Sequence, residues 1–212
     1  MESIKPELII FDFDGVLTDS YDVCYKVSRH FIPNLTENEY KVLFTGNIYE
    51  ALEEDKNANI TVKTVDNNLY FEIYEPLILN VPPRDGFKEI IKEIYSKGIK
   101  IAFISSCFNK PLKRYLLKYG FTEYIAEVLG GDIEPSKVKK FNRIFTDLNI
   151  KANESLFITD TLGDLKEAEI VNLPSIGVTF GFHDRQYIEQ GKTLAIADSV
   201  NELKEIIQNF IN

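Results

Sequence analysis

The side chains best suited to chemistry are the acids Asp12, Asp14, Asp160 and Asp164, the hydroxyls of Ser105 and Ser106, and the ammonium of Lys137. Asp12 and Asp14 follow an unbroken apolar run, Leu8-Ile9-Ile10-Phe11, of the kind buried on both faces of a parallel sheet. If the strand runs on, its period of two aims both carboxylates the same way, just past its C-terminal edge. Gly15 then lets the backbone turn sharply away. Two acids so placed repel each other and need a cation, a proton or a basic residue brought from elsewhere. Taken alone, Asp-x-Asp-Gly also suits an acidic strand-to-loop turn or a calcium loop. The later chain adds partners. Ser105 and Ser106 end a second apolar run, Ile101-Ala102-Phe103-Ile104, and Asp160 ends a third, Leu156-Phe157-Ile158-Thr159, with Asp164 one helical turn on. Lys137 stands near the start of the helix after Gly130-Gly131-Asp132. Singly these are ordinary: serines that open a helix, a solvated lysine with Lys139 or Lys140 turned inward instead, acids that complement a helix N-terminus. Parallel strands deliver their C-termini to one edge, where open α/β sheets bind ligands. Their order along the chain therefore predicts one shared site.

The elements that must position these groups follow from periodicity. Phe87, Ile90, Ile91, Ile94 and Tyr95 space an amphipathic helix stopped by Gly98; Leu112, Tyr115, Leu116 and Tyr119 space another, ended by Gly120. Val138, Phe141, Ile144, Phe145 and Leu148 mark a third, and Val200 to Phe210 a last one opened by a Ser199/Glu202 capping box. Tyr124–Leu129, Ser175–Val178 and Leu194–Ala197 are predicted as further strands. Strands alternating with such helices predict a doubly wound α/β domain with a parallel sheet. Between Ser20 and Val81-Pro82-Pro83 the pattern is helical: Tyr21 to Ile32, a second helix from a Thr36/Glu39 capping box through Phe44, a third beginning at Ile48, Ala51 and Leu52, and Leu69 to Leu79. Residues 57–66 alternate like a strand through Ile60, Val62 and Val65, or turn into another helix. The absence of a buried-strand run and the stiff double proline predict a small helical insertion over residues 21–82, on a core formed by 1–20 and 83–212.

The 212 residues are 44% apolar and 27% charged, a globular composition. Lys plus Arg number 24 against 33 Asp plus Glu, and the net charge of −9 weighs against nucleic-acid or anionic-membrane partners. No apolar stretch reaches a membrane span, the start Met1-Glu2-Ser3-Ile4-Lys5 lacks a signal-peptide pattern, and Cys24 and Cys107 alone imply no disulfide framework. A cytoplasmic enzyme is expected, as monomer or homodimer, and Cys107 is expected to be buried.

The run Asp12-Phe13-Asp14-Gly15-Val16-Leu17-Thr18-Asp19-Ser20 resembles the first motif of the haloacid dehalogenase-like (HAD) hydrolase superfamily, and more narrowly its phosphoglycolate phosphatase-like branch. The resemblance extends over nearly the whole chain. Ser105 matches the second motif, and Lys137 the third, although Val138 stands where this branch often has proline. Asp160-Thr161-Leu162-Gly163-Asp164 matches the fourth, and Ile176 to Phe182 is similar to the tail that follows it. The resemblance implies a Rossmann-like core, and in residues 21–82 a mobile cap whose specificity loop resembles Phe44 to Leu52.

It also implies roles. Mg²⁺ would be held by Asp12, the main-chain carbonyl of Asp14, Asp160, and Asp164 directly or through water. Asp12 would attack phosphorus, forming an aspartyl-phosphate, and Asp14 would serve as general acid and base. Lys137, Ser105 and Ser106 would hold the phosphoryl oxygens. Because expelling halide needs no general acid, Asp14 favours phosphoryl transfer over dehalogenation. The expected function is hydrolysis of a small phosphorylated metabolite, nominally 2-phosphoglycolate. A sugar phosphomutase using the same residues is the alternative, and a phosphate-binding regulatory protein the non-enzymatic one. Substrate choice would rest with the cap, where Tyr25, Lys26, Arg29 and Asn47 are polar candidates.

Overall fold

The structure, a computed structural model, describes residues 5–51 and 67–212. Its strands are β1 (Leu8–Phe11), β2 (Lys100–Ile104), β3 (Glu127–Leu129), β4 (Ser155–Thr159), β5 (Ser175–Val178) and β6 (Ala195–Ala197). Among the described residues they form one parallel sheet in the order β3-β2-β1-β4-β5-β6. The chain steps outward from β1 to β3 and then returns to the other side of β1, so the order reverses between β1 and β4. That is where α/β sheets open a crevice at their carboxyl ends. Ile9 of β1 lies level with Ile101 of β2 and with Leu156 of β4, which sets the three strand ends side by side.

Both faces of the sheet are covered, which explains why the strands read as continuous apolar runs rather than alternating ones. Ile9 and Phe11 face α4 (Phe87–Ser96), α5 (Asn109–Lys118) and α9 (Val200–Ile211). Leu8 and Ile10 face the side covered by α6 (Lys137–Leu148) and α7 (Leu162–Ile170), among Phe141, Ile144, Phe157 and Ala168. A short α8 (Arg185–Ile188) follows β5.

Between β1 and β2 lie α1 (Tyr21–Phe31), α2 (Glu37–Val42) and α3 (Asn67–Ile78). Their buried residues Cys24, Val27, Tyr40, Tyr74 and Ile78 join the same apolar cluster as Phe13 and Leu17 after β1. The aromatic ring of Tyr40 sits among Tyr21, Tyr25, Phe44 and Phe182, so this helical segment packs onto the loop after β5. Among the described residues, no helix is long and apolar enough to cross a membrane.

Local signals translate with small shifts. The Thr36/Glu39 capping box forms: Glu39 N–H donates to Thr36 Oγ1 at 3.3 Å and Thr36 N–H donates to Glu39 Oε2 at 2.9 Å. That helix stops at Val42, two residues before the expected Phe44, and tightens into a 3₁₀ turn over Leu43–Thr45. The Thr45 hydroxyl donates back to the Val42 carbonyl there, satisfying a helix-end acceptor. Residues 48–51 are helical, whereas Leu52 and the strand-or-helix alternatives at 57–66 lie outside the described residues. The strand expected over Tyr124–Leu129 divides into a 3₁₀ turn, Thr122–Tyr124, and the shorter β3. At α9, Ser199 Oγ accepts the Glu202 N–H, but the Glu202 carboxylate takes the N–H of Asp198 instead of that of Ser199.

Because β1 carries the whole arrangement, Ile10→Ala should lower the free energy of unfolding by about 2–5 kcal/mol. Urea denaturation should show a lower midpoint with an unchanged slope.

Candidate active site

The pairing of β1 continues one residue beyond the strand: Asp12 N–H donates to the Ile158 carbonyl at 2.9 Å. Asp12 Oδ1 accepts the N–H of Phe13 at 2.7 Å. The chain then coils tightly, with Gly15 at φ 78° and its N–H donating to Thr18 O at 3.0 Å. A side chain at Gly15 would be strained by that backbone and would overlap the Asp160 carboxylate. Asp14 is turned toward the helical segment, where Tyr74 Oη donates to its Oδ1 at 2.6 Å and the Cys24 thiol approaches at 3.6 Å. Burial pushes the Asp14 carboxyl up against the opposing pull of the hydrogen bonds from Tyr74, Ser20 and Cys24.

Lys137 opens α6, whose N-cap is Ser136, and this sends its side chain along the sheet edge. It is 2% exposed. Its Nζ donates to Asp12 Oδ2 at 2.7 Å and to Asp164 Oδ2, so one ammonium bridges the ends of β1 and α7. Thr159 Oγ1 donates to the same Asp164 oxygen at 2.7 Å. One turn later Lys140 is also buried, but its Nζ donates to Ser105 O at 2.6 Å and ties down the end of β2. Burial, and then the charge of Lys137, pull Lys140 down to about 8. Lys139 is exposed and faces Glu134. Of the three lysines, the structure brings Lys137 to the acids.

Asp160 is fully buried behind them. Its Oδ2 accepts the Phe182 N–H at 2.7 Å, while its Oδ1 has no partner. Gly181 presses on this carboxylate from the other side, since a Cβ there would also overlap it. Burial lifts Asp160 to about 7 against the Phe182 N–H, and the Asp164 charge adds to the rise. Burial likewise pushes Asp12 well up, with Lys137 pulling the other way. For Asp164, burial is outweighed by the Lys137 charge and by hydrogen bonds from Asp12, Lys137 and Thr159, leaving it below the usual carboxylate range. Of the three buried carboxylates, two thus hold the one ammonium and Asp160 does not touch it.

Such a cluster suits a hard cation, for two reasons. Its donors are all oxygens, and Asp160 Oδ1 is a buried oxygen without a hydrogen-bond partner. As the side chains stand, no three His, Cys, Asp or Glu groups among the described residues converge on one point, and Lys137 bridges two of the acids. Holding a cation therefore requires side-chain adjustment within the cluster.

Ser105 directly follows β2, its Oγ accepting the Cys107 N–H at 2.9 Å, and Ser106 comes next with its carbonyl accepting from Tyr49 Oη at 2.6 Å. Asp12, Asp14, Ser105, Ser106, Lys137 and Asp164 all line one cavity roofed by the helical segment, whose empty volume including its mouth is about 960 Å³. Asp160 lies behind the wall. Cys107 is buried. The polar candidates on the helices are engaged elsewhere: Tyr25 Oη donates to Leu35 O, Arg29 to Pro33 O, and Asn47 to Pro135 O and Glu167; none of them, nor Lys26, lines the cavity. Glu167 also accepts the N–H groups of Lys137 and Val138, so the missing proline at 138 leaves a donor that is satisfied. Sequence reasoning missed the Tyr74 contact to Asp14, because Tyr74 fits the apolar face of its helix. Lys140, one of the alternatives for the inward lysine, does turn inward, but to Ser105 O rather than to the acids; 137 and 140 share a helix face.

Lys137→Met would leave Asp12 and Asp164 buried without their ammonium. In metal-free buffer it should lower the unfolding free energy by about 3–5 kcal/mol, read from urea denaturation beside wild type.

The chain matches the family model described as haloacid dehalogenase-like hydrolase over residues 9–178. A phosphoglycolate phosphatase of Vibrio parahaemolyticus is 24% identical to it, the match covering 95% of this chain and 96% of the relative. A crystal structure from Clostridium acetobutylicum, described as a "predicted phosphatase", superposes with a TM-score of 0.81 at 23% identity, covering 95% and 97% of the two chains. The structure of CbbY from Rhodobacter sphaeroides in complex with phosphate superposes with a TM-score of 0.75 at 18% identity, covering 93% and 96%. With the fold, the order of strand ends and the family match in agreement, the chain belongs to the haloacid dehalogenase-like hydrolase family, within its phosphoglycolate phosphatase-like branch.

Proposed function

We propose that the protein is a Mg²⁺-dependent phosphatase that hydrolyses a small phosphorylated metabolite through an aspartyl-phosphate on Asp12. The observation that carries this is the ammonium of Lys137 joining Asp12 to Asp164 at the sheet edge, beside the unpartnered oxygen of Asp160. The phosphatase name of the relatives and the phosphate in the CbbY structure support the same reading.

Mg²⁺ would be held by Asp12, the Asp14 carbonyl, Asp160 and Asp164, and when bound supplies the positive charge that lets an anionic carboxylate approach a phosphoryl dianion. Lys137, with the Ser105 hydroxyl and Ser106 at the cavity wall, would hold the non-bridging oxygens. A carboxylate oxygen of Asp12 attacks phosphorus as the ester P–O bond breaks. Asp14, whose carboxyl burial keeps protonated more readily than usual, gives its proton to the departing alkoxide oxygen. Water then attacks the phosphorus of the aspartyl-phosphate, Asp14 takes the proton, and the Asp12 carboxylate and inorganic phosphate are released. Residues 21–82 act as a cap that excludes water during these steps. The acidic chain with its two buried free cysteines fits a cytoplasmic setting.

Phosphate release from a panel of phosphomonoesters tests this. Turnover should require Mg²⁺, vanish in Asp12→Asn, and fall about 10²- to 10⁴-fold in Asp14→Asn. Mg²⁺-independent turnover, or turnover retained in Asp12→Asn, would contradict it. Gly181→Ala, which crowds the Asp160 carboxylate, should raise the Mg²⁺ concentration for half-maximal rate by about 10- to 100-fold.

A further inference from the structure

Resting on that phosphatase reading, we propose that the ester's organic part is uncharged and largely apolar, such as an aryl-alkyl group, rather than a carboxylate or a sugar. Across from Asp12 and Asp14, the cavity wall is built by Ile32, Leu43, Phe44, Ile48, Tyr70 and Phe71. Phe71 is braced by stacking on Phe108 with ring centroids 4.1 Å apart, and Phe44 packs against Phe182 at 5.0 Å, so these are set surfaces rather than loose tips.

The polar groups of the wall are turned away from a ligand. Tyr74 Oη donates to Asp14, Tyr49 Oη to Ser106 O and Tyr70 Oη to Cys24 O, and the Ser28 hydroxyl interacts with Tyr40 and Tyr70. Opposite the acids the lining is mainly aromatic and aliphatic, with Asn67 also among the lining residues.

Among the described residues, none of the side chains opposite Asp12 and Asp14 on this wall is basic. Lys137 is the one basic side chain lining the cavity among the described residues, and it is bound to Asp12 and Asp164. Basic groups nearby are committed elsewhere: Lys41 lies over the Tyr21 ring, Lys166 donates to Thr45 O, and Arg84 is held by Gly15 O, Asp19 and Phe180 O. A substrate carboxylate would be buried without a partner and beside acids, and sugar hydroxyls would lose water without replacement. An apolar group gains by leaving water.

Two matched comparisons test this on the full chain with Mg²⁺. Calorimetry should show 3-phenylpropylphosphonate binding at least about 100-fold tighter than 3-phosphonopropionate, which mimics phosphoglycolate, a ratio within reach of a few buried methylenes. The kcat/KM for 3-phenylpropyl phosphate should exceed those for 2-phosphoglycolate and glucose 6-phosphate by a similar factor; all three are primary-alcohol esters, so leaving-group differences stay modest. Ile48→Arg, which places a cation on the wall, should narrow the binding ratio at least about 10-fold. Equal or tighter binding of 3-phosphonopropionate, or no binding of either phosphonate, would overturn the assignment of substrate class. Retention of the binding preference without release of phosphate from any ester would instead overturn the phosphatase reading and leave the apolar preference standing.

Discussion

The structure depends on an imbalance of charge. Asp12, Asp160 and Asp164 are all buried at the carboxyl edge of the sheet, and Lys137 is the ammonium set among them. Removing three carboxylates from water is costly, and one cation does not offset it. The strain shows in opposite directions: burial drives Asp12 and Asp160 up, while Asp164, closest to Lys137 and Thr159, is held down. A fold that keeps such a cluster must surround it with rigid elements. The fully buried strands β1 and β4, pinned side by side, and two glycines pressed against Asp160 supply them.

The helical segment is coupled to this cluster through side chains rather than through apolar contact alone. Tyr74 reaches Asp14, Tyr49 reaches Ser106, Lys166 reaches Thr45, and Asn47 reaches Glu167, the same carboxylate that takes the first N–H of α6. His183 lies between the two parts, its Nδ1 accepting the Leu162 N–H and its Nε2 facing Lys41 O at 2.9 Å. Burial pulls His183 down, which suits the neutral ring that both contacts require. In the proposed function the segment is the cap. Its tyrosines then have two uses, sealing the cavity and orienting Asp14.

Much of this was legible in the sequence. Unbroken apolar runs ending in Asp12, Ser105 and Asp160 gave the parallel sheet and the edge at which its polar residues gather, because period and burial are local properties. The Thr36/Glu39 box was legible for the same reason. Which lysine faces the acids was not: 137 and 140 share a helix face, and only the reach of the two side chains separates a contact to Asp12 from one to Ser105 O. Nor were Tyr74 and Phe182 legible as partners of Asp14 and Asp160, since both are long-range contacts made by residues that read as core. The end of α2 and the split before β3 shifted because tight 3₁₀ turns leave no periodic trace.

Completion of the acid cluster by a divalent cation would link the stability of the fold to Mg²⁺. The direct measurement is thermal unfolding of wild type and Asp160→Asn as Mg²⁺ is titrated from zero into chelator-treated protein. The midpoint should climb with Mg²⁺ in wild type and stay nearly level in Asp160→Asn. Equal climbs in both proteins, or none in wild type, would contradict it.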